Sequence, residues 1–552
     1  MLPTLLRRLG LRLLVNGEAL LKDPIAYLTA RLWLAVGKRV RGRNQLSPLI
    51  GSTRLAYSLW VADREPNLWP SSDNPVDAAR FAVVIDARRN MANLSATLAS
   101  LENSEIAPDK VFVLVPEAPA SLDASKDLLV VSRLSEVSSQ LAAMDDTWFI
   151  ALTGGDCLAA KALALFRSAT RSGVAVIYAD DDLLDERSIR HDPHFKPDWN
   201  AELFRHHDFV SGSAAIEINK ASLAAFENCN AEDWITEVTR ASIEASPVPP
   251  RHIPSVLFHR QVRPTPIVPS PKAITDRKTW PSLSVIIPIR NQVALLETCL
   301  AGLTATHYPV SECLIVDNGS DDPATLAFLE QLDPARFKVL TRPGPFNFAA
   351  LNNAAAEQAQ GEYLCLLNND VSMSDPEWLH YMVLQAMRAE IGAVGARLYY
   401  PDGTLQHAGV VLGVGGGAAH AHRGLRAGEA GYFCRPQLPQ FASAVTAACL
   451  VVARDKFIAV GGFDADAFPV AFNDVDLCAR LNAQGWQSFY EPRAILTHHE
   501  SKSRGTDLTP EKKERFAREL RNLKERWRTD RTTDPFHHPA LSKHSDQFVV
   551  GL

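Results

Sequence analysis

The same order of strand-like and helix-like segments occurs twice in this 552-residue chain. Short apolar runs typical of buried strands alternate with longer segments of helical period, first over residues 81–179 and again over 283–400. Such alternation predicts a parallel sheet covered by helices. The runs VVID, VLVPE and LTGGD of the first copy align with VIIP, IVDNG and LLNND of the second, at offsets of 202 to 214 residues. The sequence therefore predicts two tandem α/β domains that diverged from one repeated unit.

Clusters of proline precede each copy, and both clusters are interpreted as linkers. The predicted parts of the chain are a basic amphipathic helical segment (1–62), a linker (63–80), a first α/β domain (81–262), a proline-rich linker (263–280), a second α/β domain (281–505) and a C-terminal helix and tail (506–552).

Composition excludes several classes of protein. A net charge of −6 argues against a nucleic-acid partner, because no domain has the basic excess that such proteins need. The eight cysteines show no C-x-x-C spacing and lie mostly in apolar runs. We therefore expect buried thiols in a reducing compartment, and neither a disulfide framework nor a zinc site.

Residues 1–50 differ in kind from the rest, with nine Lys or Arg residues against two acidic ones, set among Leu, Ile, Trp and Val. Charges interrupt the apolar runs before they reach the ~20 residues of a spanning helix. No signal-peptide cleavage pattern follows the first arginines. Two interpretations stay open: a basic amphipathic segment on an anionic membrane surface, or helices packed on the protein's own body.

Polar side chains follow two strands of the second copy at the point where each strand ends. Asn368, Asn369 and Asp370 follow the apolar run YLCLL, and Asp317 closes the run ECLIVD. Ligands of open α/β sheets bind at the carboxyl ends of the strands. A carboxylate there suits a divalent cation that also binds substrate phosphates. Turn formation is the alternative role of such Asn and Asp residues.

Two later segments add further candidates. Asp474 and Asp476 lie at the start of a predicted amphipathic helix, where the helix dipole alone already favours acidic residues. The predicted strand AILTHH ends in His498 and His499, and a histidine there is either a metal ligand or a solvated surface residue.

Eight separated motifs of the second copy resemble those of the family 2 glycosyltransferases. In chain order they are SVIIPIRNQ (284–292), LIVDNGSDD (314–322), FNFAALNNAAAEQAQGEYLCLLNND (346–370), LQHAGVVLG (405–413), TAACLVVAR (446–454), VGGFD (460–464), NDVDLCARLNAQGW (473–486) and ILTHHESKSRG (495–505). The ending DPFHHPALS (534–542) resembles the tail of large bacterial members that build surface polysaccharides. The resemblance implies inverting, nucleotide-sugar-dependent enzymes of the GT-A fold, a Rossmann-like nucleotide-diphospho-sugar transferase fold.

The resemblance also implies the metal site. Asn368, Asn369 and Asp370 match the family's D-x-D motif, with Asn368 in place of the first acid. Asp370 and His498 are then the ligands of Mg²⁺ or Mn²⁺, with His499 as the alternative to His498. Such a metal would neutralise the diphosphate that leaves the sugar.

Further roles follow from the same resemblance. Asp317 matches the residue that contacts the base of the donor, Pro288 and Asp476 belong to substrate-binding motifs, and Asp474 matches the catalytic base. One carboxylate suffices to take the proton of the acceptor hydroxyl, and a single in-line attack inverts the anomeric centre.

The first copy resembles the same fold with altered motifs. Pro116 stands where Asp317 stands in the second copy, LTGGD keeps only Asp156, and DWITEV breaks the D-x-D-L pattern at residues 233–238. We therefore predict an inactive domain that serves acceptor binding or assembly. The alternative is a second working transferase, and the residues that keep it open are Asp156, Asp180, Asp181, Asp182, Asp233 and His259.

The expected partners are a nucleotide-diphosphate sugar donor and a glycan or lipid-linked glycan acceptor. The expected location is the cytoplasm, peripheral to the inner face of the cell membrane. An alternative of another class is a non-catalytic, nucleotide-binding scaffold of a polysaccharide assembly complex.

Overall fold

The structure, a computed structural model, describes residues 2–67, 79–116, 127–170, 173–229, 232–270, 279–499 and 509–552. Three of the predictions extend beyond the described residues. They concern most of the first linker (68–78), part of the proline-rich linker (271–278) and the end of the last family motif (500–505).

The basic N-terminal segment is helical, with α1 (Leu2–Lys22), α2 (Pro24–Ala35), α3 (Arg39–Gly51) and α4 (Ala56–Asp63). Helix α2 begins where the Asp23 carboxylate accepts a hydrogen bond from the N–H of Ala26 (2.9 Å), and Pro24 takes the first position, where no N–H is needed. The inner faces of these helices form a small core of Ala19, Tyr27, Ala30 and Leu46. Within the described residues, no helix is long and apolar enough to cross a bilayer.

The first α/β unit has the strands β1 (Arg80–Asp86), β2 (Lys110–Leu114), β3 (Leu128–Val131), β4 (Thr147–Thr153), β5 (Cys157–Leu158), β6 (Val176–Leu184), β7 (Arg190–His194), β8 (Ala214–Glu217) and β9 (Arg251–Arg260). Its helices are α5 (Leu94–Glu102), α6 (Leu134–Leu141), α7 (Ala162–Ala169), α8 (Ala201–His206), α9 (Lys220–Asn228) and α10 (Trp234–Ala245). The strand order is β3-β2-β1-β4-β8-β6-β9-β5, with β7 paired to β6.

The second unit has the strands β10 (Leu283–Ile289), β11 (Glu312–Asp317), β12 (Phe337–Thr341), β13 (Tyr363–Leu367), β14 (Val371–Met373), β15 (Ile391–Tyr399), β16 (Leu405–His407), β17 (Val410–Leu412), β18 (Ala418–His420), β19 (Gln440–Ala442), β20 (Cys449–Ala453) and β21 (Gln487–His498). Its helices are α11 (Val293–Ala305), α12 (Pro323–Glu330), α13 (Phe348–Ala356), α14 (Trp378–Ala386), α15 (Arg454–Ala459) and α16 (Asn473–Ala483), and α17 (Pro510–Trp527) follows. The strand order is β12-β11-β10-β13-β20-β15-β21-β14.

The two orders are the same, position by position, so the predicted fold of two tandem α/β units is confirmed. The expectation of a parallel sheet is wrong at the strand inserted in the middle of each sheet. Strand β20 runs antiparallel to β13 and β15, and β8 runs antiparallel to β4 and β6. Both inserted strands are buried and apolar, so their sequences carry no sign of the direction in which they run.

Each sheet is covered on both faces. Ile287 and Leu367 of the second sheet pack against α11 and α14, and Leu314 and Leu366 pack against α13 and α16 on the other face. These side chains are fully buried, and each contributes roughly 1.5–3 kcal/mol by leaving water. The strands are thereby fixed, and their ends can carry polar groups.

A short strand, β14, follows the loop of Asp370. The residues Ser374, Asp375 and Pro376 predict the start of the next helix, and α14 begins two residues later, at Trp378. Val371 is buried in the core and pairs antiparallel with His498 of β21. This pairing places Asp370 beside the end of β21.

The C-terminal tail crosses from the second unit to the first. Arg526 of α17 binds Asp476 (2.9 Å) and Asp464 (2.8 Å) of the second unit. Farther along, the N–H of Asp198 donates to the carbonyl of Pro535 (2.7 Å) in the tail. The tail therefore joins the two units.

Candidate active site

A cavity of about 130 Å³ lies where the chain leaves β13, β16, β18 and β21. Among the residues that line it are Asn368, Gln406, His420, Thr446, Asp474 and His498. Three of these, Asn368, Asp474 and His498, were predicted from the sequence. The fold therefore brings together side chains that are up to 130 residues apart in the chain.

Asp370 and His498 lie next to each other at this edge. The Oδ1 atom of Asp370 is 3.1 Å from Nε2 of His498, and both residues are buried. The other ring nitrogen of His498, Nδ1, donates to Oε1 of Gln406 (2.8 Å). Because Nδ1 carries that proton in the neutral ring, Nε2 is unprotonated and can accept a hydrogen bond or bind a cation.

The neighbouring histidine takes another direction. Nε2 of His499 is 3.0 Å from Oγ of Ser372, and the backbone N–H of His499 donates to the carbonyl of Asp370 (2.8 Å). Of the two histidines, His498 is the one in the wall of the cavity. This placement favours His498 over His499 as the metal ligand.

The arrangement fits a divalent cation. Two ligand atoms at about 2.1 Å from one ion, at a right angle, lie about 3 Å apart, close to the 3.1 Å between Asp370 and His498. Nδ2 of Asn368 lies 3.2 Å from Nε2 of His498. The buried Oδ1 of Asn368 has no hydrogen-bond partner among the described residues. One carboxylate, one imidazole and one amide oxygen would leave positions for phosphate oxygens.

Asp474 lies in the first turn of α16, in the wall of the cavity. Its two oxygens accept hydrogen bonds from the N–H groups of Ala447 (3.1 Å) and Val475 (2.8 Å). Burial raises the pKa of Asp474 above its usual value, and these hydrogen bonds oppose that rise. A carboxylate of raised pKa is a stronger proton acceptor, as a general base requires.

Asp317 and Pro288 lie at the same edge, on strands β11 and β10. Asp317 is buried, and its Oδ1 accepts hydrogen bonds from the N–H (2.9 Å) and the hydroxyl (2.6 Å) of Ser320. Neither residue is part of the cavity wall. They flank the candidate metal position from the adjoining strands, where a larger ligand would extend.

Asp476 does not reach the cavity. Its carboxylate is fully buried and binds Arg480 (2.8 Å), Arg526 (2.9 Å) and the indole N–H of Trp527 (2.9 Å). The structure therefore places this residue between α16 and α17. Asn369 is also buried, next to the cavity residue Asn368, and its Nδ2 has no partner among the described residues.

Comparisons with known proteins now bear on this site. The model of glycosyl transferase family 2 matches residues 284–416. The N-acetylglucosaminyl-diphospho-decaprenol L-rhamnosyltransferase of Mycobacterium tuberculosis is 30% identical over 232 residues, which are 38% of this chain and 74% of that protein. The chain belongs to glycosyltransferase family 2.

Two longer relatives match more of this family 2 chain. The O-antigen biosynthesis protein RfbC of Myxococcus xanthus is 33% identical over 529 residues, covering 82% of this chain and 40% of that protein. The uncharacterized protein y4gI of Sinorhizobium fredii is 38% identical over 417 residues, covering 68% of this chain and 46% of that protein. The chain thus spans less than half the length of each of these two relatives.

The sequence left the role of two histidines of this family 2 domain unrecognised. Nε2 of the buried His407 accepts from the N–H groups of Gly409 (3.3 Å) and Thr446 (3.5 Å), so the proton of His407 lies on Nδ1. That Nδ1 is 2.7 Å from Nδ1 of His420, which must therefore be an acceptor. His420 is left with a proton on Nε2, as a donor in the wall of the cavity.

Burial keeps this pair neutral. It lowers the pKa of His420 to about 4 and that of His407 well below its usual value. His407 lies in the motif LQHAGVVLG, so the motif was a signal for this residue, whereas His420 lies seven residues beyond its end. The partners across the loop were not visible in the sequence.

The first unit has counterparts of the metal pair. In the second sheet Val371, the residue after Asp370, pairs with His498 between β14 and β21. In the first sheet Cys157, the residue after Asp156, pairs with His259 between the corresponding strands β5 and β9. Asp156 and His259 therefore correspond to Asp370 and His498. In the first sheet, however, Nδ1 of His259 lies 2.7 Å from Oδ1 of Asp182. The aspartate and the histidine are used separately there.

Asp156 and Asp182, the partner of His259, both make further hydrogen bonds in the first unit. Asp156 accepts hydrogen bonds from the N–H groups of Gln261 (2.8 Å) and Thr153 (3.2 Å). The other oxygen of Asp182 accepts from the hydroxyl of Tyr57 (2.6 Å), which belongs to helix α4. The site-equivalent edge of the first sheet thus holds the N-terminal helices.

One predicted correspondence between the copies is wrong by one residue. Ile85 and Ile287 lie on matching faces of the two sheets, beside α5 and α11. Strand pairing from these positions places Val115, and not Pro116, at the position of Asp317. The alignment of VLVPE with IVDNG, at an offset of 202 residues, also places Val115 opposite Asp317, and Pro116 opposite Asn318. Valine, like proline, offers a nucleotide no carboxylate.

Another group of the first unit has the geometry of a metal site. The ligand atoms of Asp180, His252 and His538 lie within 4.8 Å of one another. Nε2 of His252 lies 3.1 Å from Oδ1 of Asp180, a hydrogen-bond distance, whereas His538 is at ion-pair distance from Oδ2. Nδ1 of His538 accepts from the N–H of Ala540 (2.9 Å), so its proton lies on Nε2, 2.8 Å from Asp180. The cluster ties the C-terminal tail to the first sheet.

Proposed function

We propose that this chain is an inverting glycosyltransferase that moves a sugar from a nucleotide-diphosphate donor to a hydroxyl of a growing cell-surface glycan. The second α/β domain (281–505) carries the chemistry in this proposal. The observation that supports it most is the convergence of Asn368, Asp474 and His498 on one cavity, with Asp370 3.1 Å from His498. Binding of a diphosphate and removal of a proton are both served by this arrangement.

Asp370 and His498 would hold Mg²⁺ or Mn²⁺, with Asn368 beside them. When bound, the ion would neutralise the charge of the leaving diphosphate. Gln406 holds the His498 ring through Nδ1, which keeps Nε2 available as a ligand. Asp317 would contact the base of the donor, and Pro288 and Asn369 would shape the adjoining floor.

Asp474 would take the proton of the acceptor hydroxyl onto a carboxylate oxygen as that hydroxyl attacks the anomeric carbon. Attack from the side opposite the diphosphate inverts the configuration. His420, protonated on Nε2, would donate a hydrogen bond to a substrate oxygen in the cavity. Asp476 would support α16 from behind and would not touch substrate.

The names of two relatives support the proposed acceptor class. One is named for O-antigen biosynthesis and one for rhamnosyl transfer to a diphospho-decaprenol-linked sugar. We therefore propose a hexose or deoxyhexose as the sugar and a glycan or lipid-linked glycan as the acceptor. The protein would work in the cytoplasm, at the inner face of the cell membrane. The first domain would bind acceptor or assist assembly.

A screen of nucleotide sugars by thermal shift, with and without Mn²⁺ or Mg²⁺, tests the proposal. A donor that binds the native state raises the melting temperature by mass action, and the rise should depend on the metal. The donor found in this way should then release its nucleoside diphosphate when a glycan acceptor is added. Donor binding with no transfer to any hydroxyl acceptor would favour the scaffold alternative.

A further inference from the structure

The N-terminal helices expose apolar side chains in two regular stripes. On α1, Leu5, Leu9 and Leu13 recur every four residues and are 55%, 47% and 75% exposed. On α2, the stripe consists of Ile25, Leu28 and Leu32, which are 80%, 60% and 58% exposed. Both spacings place the side chains on one face of a helix. Large apolar surfaces of this kind mark an interaction site.

Packing within the protein does not require these stripes. The opposite faces of the helices already form the core of Ala19, Tyr27, Ala30 and Leu46. Where α1 meets α2, Leu21 and Ile25 are both at least 80% exposed, so the exposed apolar surface continues across the junction. The two earlier interpretations of this segment are therefore compatible: it packs on its own body and still presents an apolar surface.

Basic side chains flank the stripes. Arg8 and Arg12 of α1, which both pair with Asp63 (3.6 and 2.6 Å), and Arg31 of α2 line a cavity of about 490 Å³ between these helices and Leu552. A second cavity of about 520 Å³ lies beside it and is lined by Arg43, Arg64 and Lys543, among others. The neighbouring loop and α3 add Lys38, Arg39 and Arg41, all exposed. An apolar face bordered by arginine and lysine matches the chemistry of an anionic lipid surface.

We propose that the exposed face of α1 and α2 docks on an anionic lipid bilayer, with the leucines and Ile25 among the acyl chains and the basic groups against lipid phosphates. This deepens the proposed membrane location and does not depend on sugar transfer. A second copy of the chain is a poorer occupant, because two strongly basic faces would repel each other. The proposed depth is interfacial and requires no spanning helix.

Vesicle co-sedimentation of the full chain tests the proposal. We expect binding to vesicles that contain phosphatidylglycerol, weaker binding to pure phosphatidylcholine, and partial release by salt. The variant Leu9→Ser/Leu13→Ser/Leu28→Ser should bind anionic vesicles at least about tenfold more weakly, because three apolar side chains no longer leave water. A matched control changes three exposed apolar residues elsewhere, Ile189→Ser/Val262→Ser/Ile267→Ser (52%, 75% and 72% exposed), and should bind like the wild type.

Thermal unfolding of each variant shows that it is folded, and a donor thermal shift, measured without vesicles, reports on the catalytic domain separately. Failure of sugar transfer with intact vesicle binding would leave the docking proposal standing. Absence of vesicle binding by the folded wild type would overturn it. So would equal binding by the stripe variant and the control, or concentration-dependent self-association that the stripe variant abolishes in the absence of vesicle binding.

Discussion

The two α/β units of this protein share one strand order and differ at the strand ends. In the second unit, Asp370 and His498 lie 3.1 Å apart at the edge of a cavity. In the first, the corresponding Asp156 closes a turn, and His259 binds Asp182. Buried apolar residues hold both sheets together whatever their edges do. The comparison shows how a fold outlasts the chemistry at its edge.

The edge of the first unit was not simply lost. Hydrogen bonds to neighbouring segments occupy its backbone groups. Nδ2 of Asn90 donates to the carbonyl of Gly154 (2.8 Å), and the N–H of Gly155 donates to Oγ1 of Thr97 (2.8 Å). A Cβ atom on Gly154 would lie 2.5 Å from the carbonyl oxygen of Asn90, so no larger residue fits there. Backbone and side chains thus occupy the place where the second unit presents Asn368 and Asn369.

The largest expected effect is on the rate of sugar transfer, and it distinguishes Asp474 at the start of α16 from Asp233 at the start of α10. Asp474→Asn should lower the rate of sugar transfer by ~10²- to 10⁴-fold, because the amide cannot take the proton. Its counterpart Asp233 is exposed and makes no capping hydrogen bond, so Asp233→Asn should stay within a few-fold of the wild type. Initial rates with saturating donor give both values. Near-normal transfer by Asp474→Asn would place the base elsewhere.

The next effect concerns the metal. Asp370→Ala should remove the metal-dependent stabilisation by donor, which amounts to about 2.7 kcal/mol at a donor concentration of 100 Kd. Asp156→Ala should keep it, because that carboxylate accepts hydrogen bonds from the backbone N–H groups of Thr153 and Gln261 and thereby serves the structure of the first unit. Melting temperatures with and without Mn²⁺ measure both. Retained Mn²⁺ dependence in Asp370→Ala would remove this residue from the site.

A smaller effect is expected from the hydrogen-bonded pair of His407 and His420 in the second unit. His420→Ala removes the Nε2–H donor of a neutral histidine from the cavity wall. It should lower kcat/KM about tenfold, which is the size expected when one hydrogen bond to a charged group is lost. The matched control is His191→Ala, at an exposed position of the first unit. An unchanged kcat/KM in His420→Ala would show that its Nε2 proton does not meet substrate.

The edge of the first unit should affect stability and leave transfer alone. Tyr57→Phe removes the buried hydrogen bond to Asp182 and should lower the free energy of unfolding by about 1 kcal/mol or more. Urea unfolding measures this change, and the transfer rate of the folded variant should remain within twofold. A large loss of transfer with unchanged stability would give this edge a catalytic part.

The smallest effect concerns pH. Burial pushes the pKa of His252 down, but the carboxylates of Asp180 and Asp198 outweigh it and hold that pKa above its usual value. The stabilisation by this charged ring is complete below the unfolded pKa and is lost as the pH rises through the raised one. Unfolding between pH 6 and 9 should show this loss in the wild type and not in His252→Gln. An identical pH dependence in both would contradict the assignment.

The sequence was sufficient for the strands that end in polar residues. The run YLCLLNND predicts β13 and the polar residues at its end, and the structure has that strand at Tyr363–Leu367. The family resemblance was needed to favour a metal ligand over a turn residue at Asp370. The end of β21 was also recognisable, and the structure places His498 in the cavity wall. These features are local, so a short window contains them.

The remaining features depend on long-range pairing. The direction of β20, the insertion of β14 before α14 and the contact of Gln406 with His498 join segments that are far apart in the chain. The role of Asp182 depends on Tyr57, 125 residues earlier. The motif around Asp476 predicts a substrate-binding residue. Its structural role in an ion pair with Arg526 is visible only in the folded protein, where α17 packs against it.

We propose that sugar transfer resides in the second unit alone. A comparison of Asp370→Ala with the double variant Asp156→Ala/Asp233→Ala, each shown to be folded, with the same donor and acceptor, tests this proposal. We expect the double variant to keep transfer within a few-fold of the wild type and Asp370→Ala to abolish it. Loss of one of two product linkages in the double variant, or transfer that persists in Asp370→Ala, would contradict it.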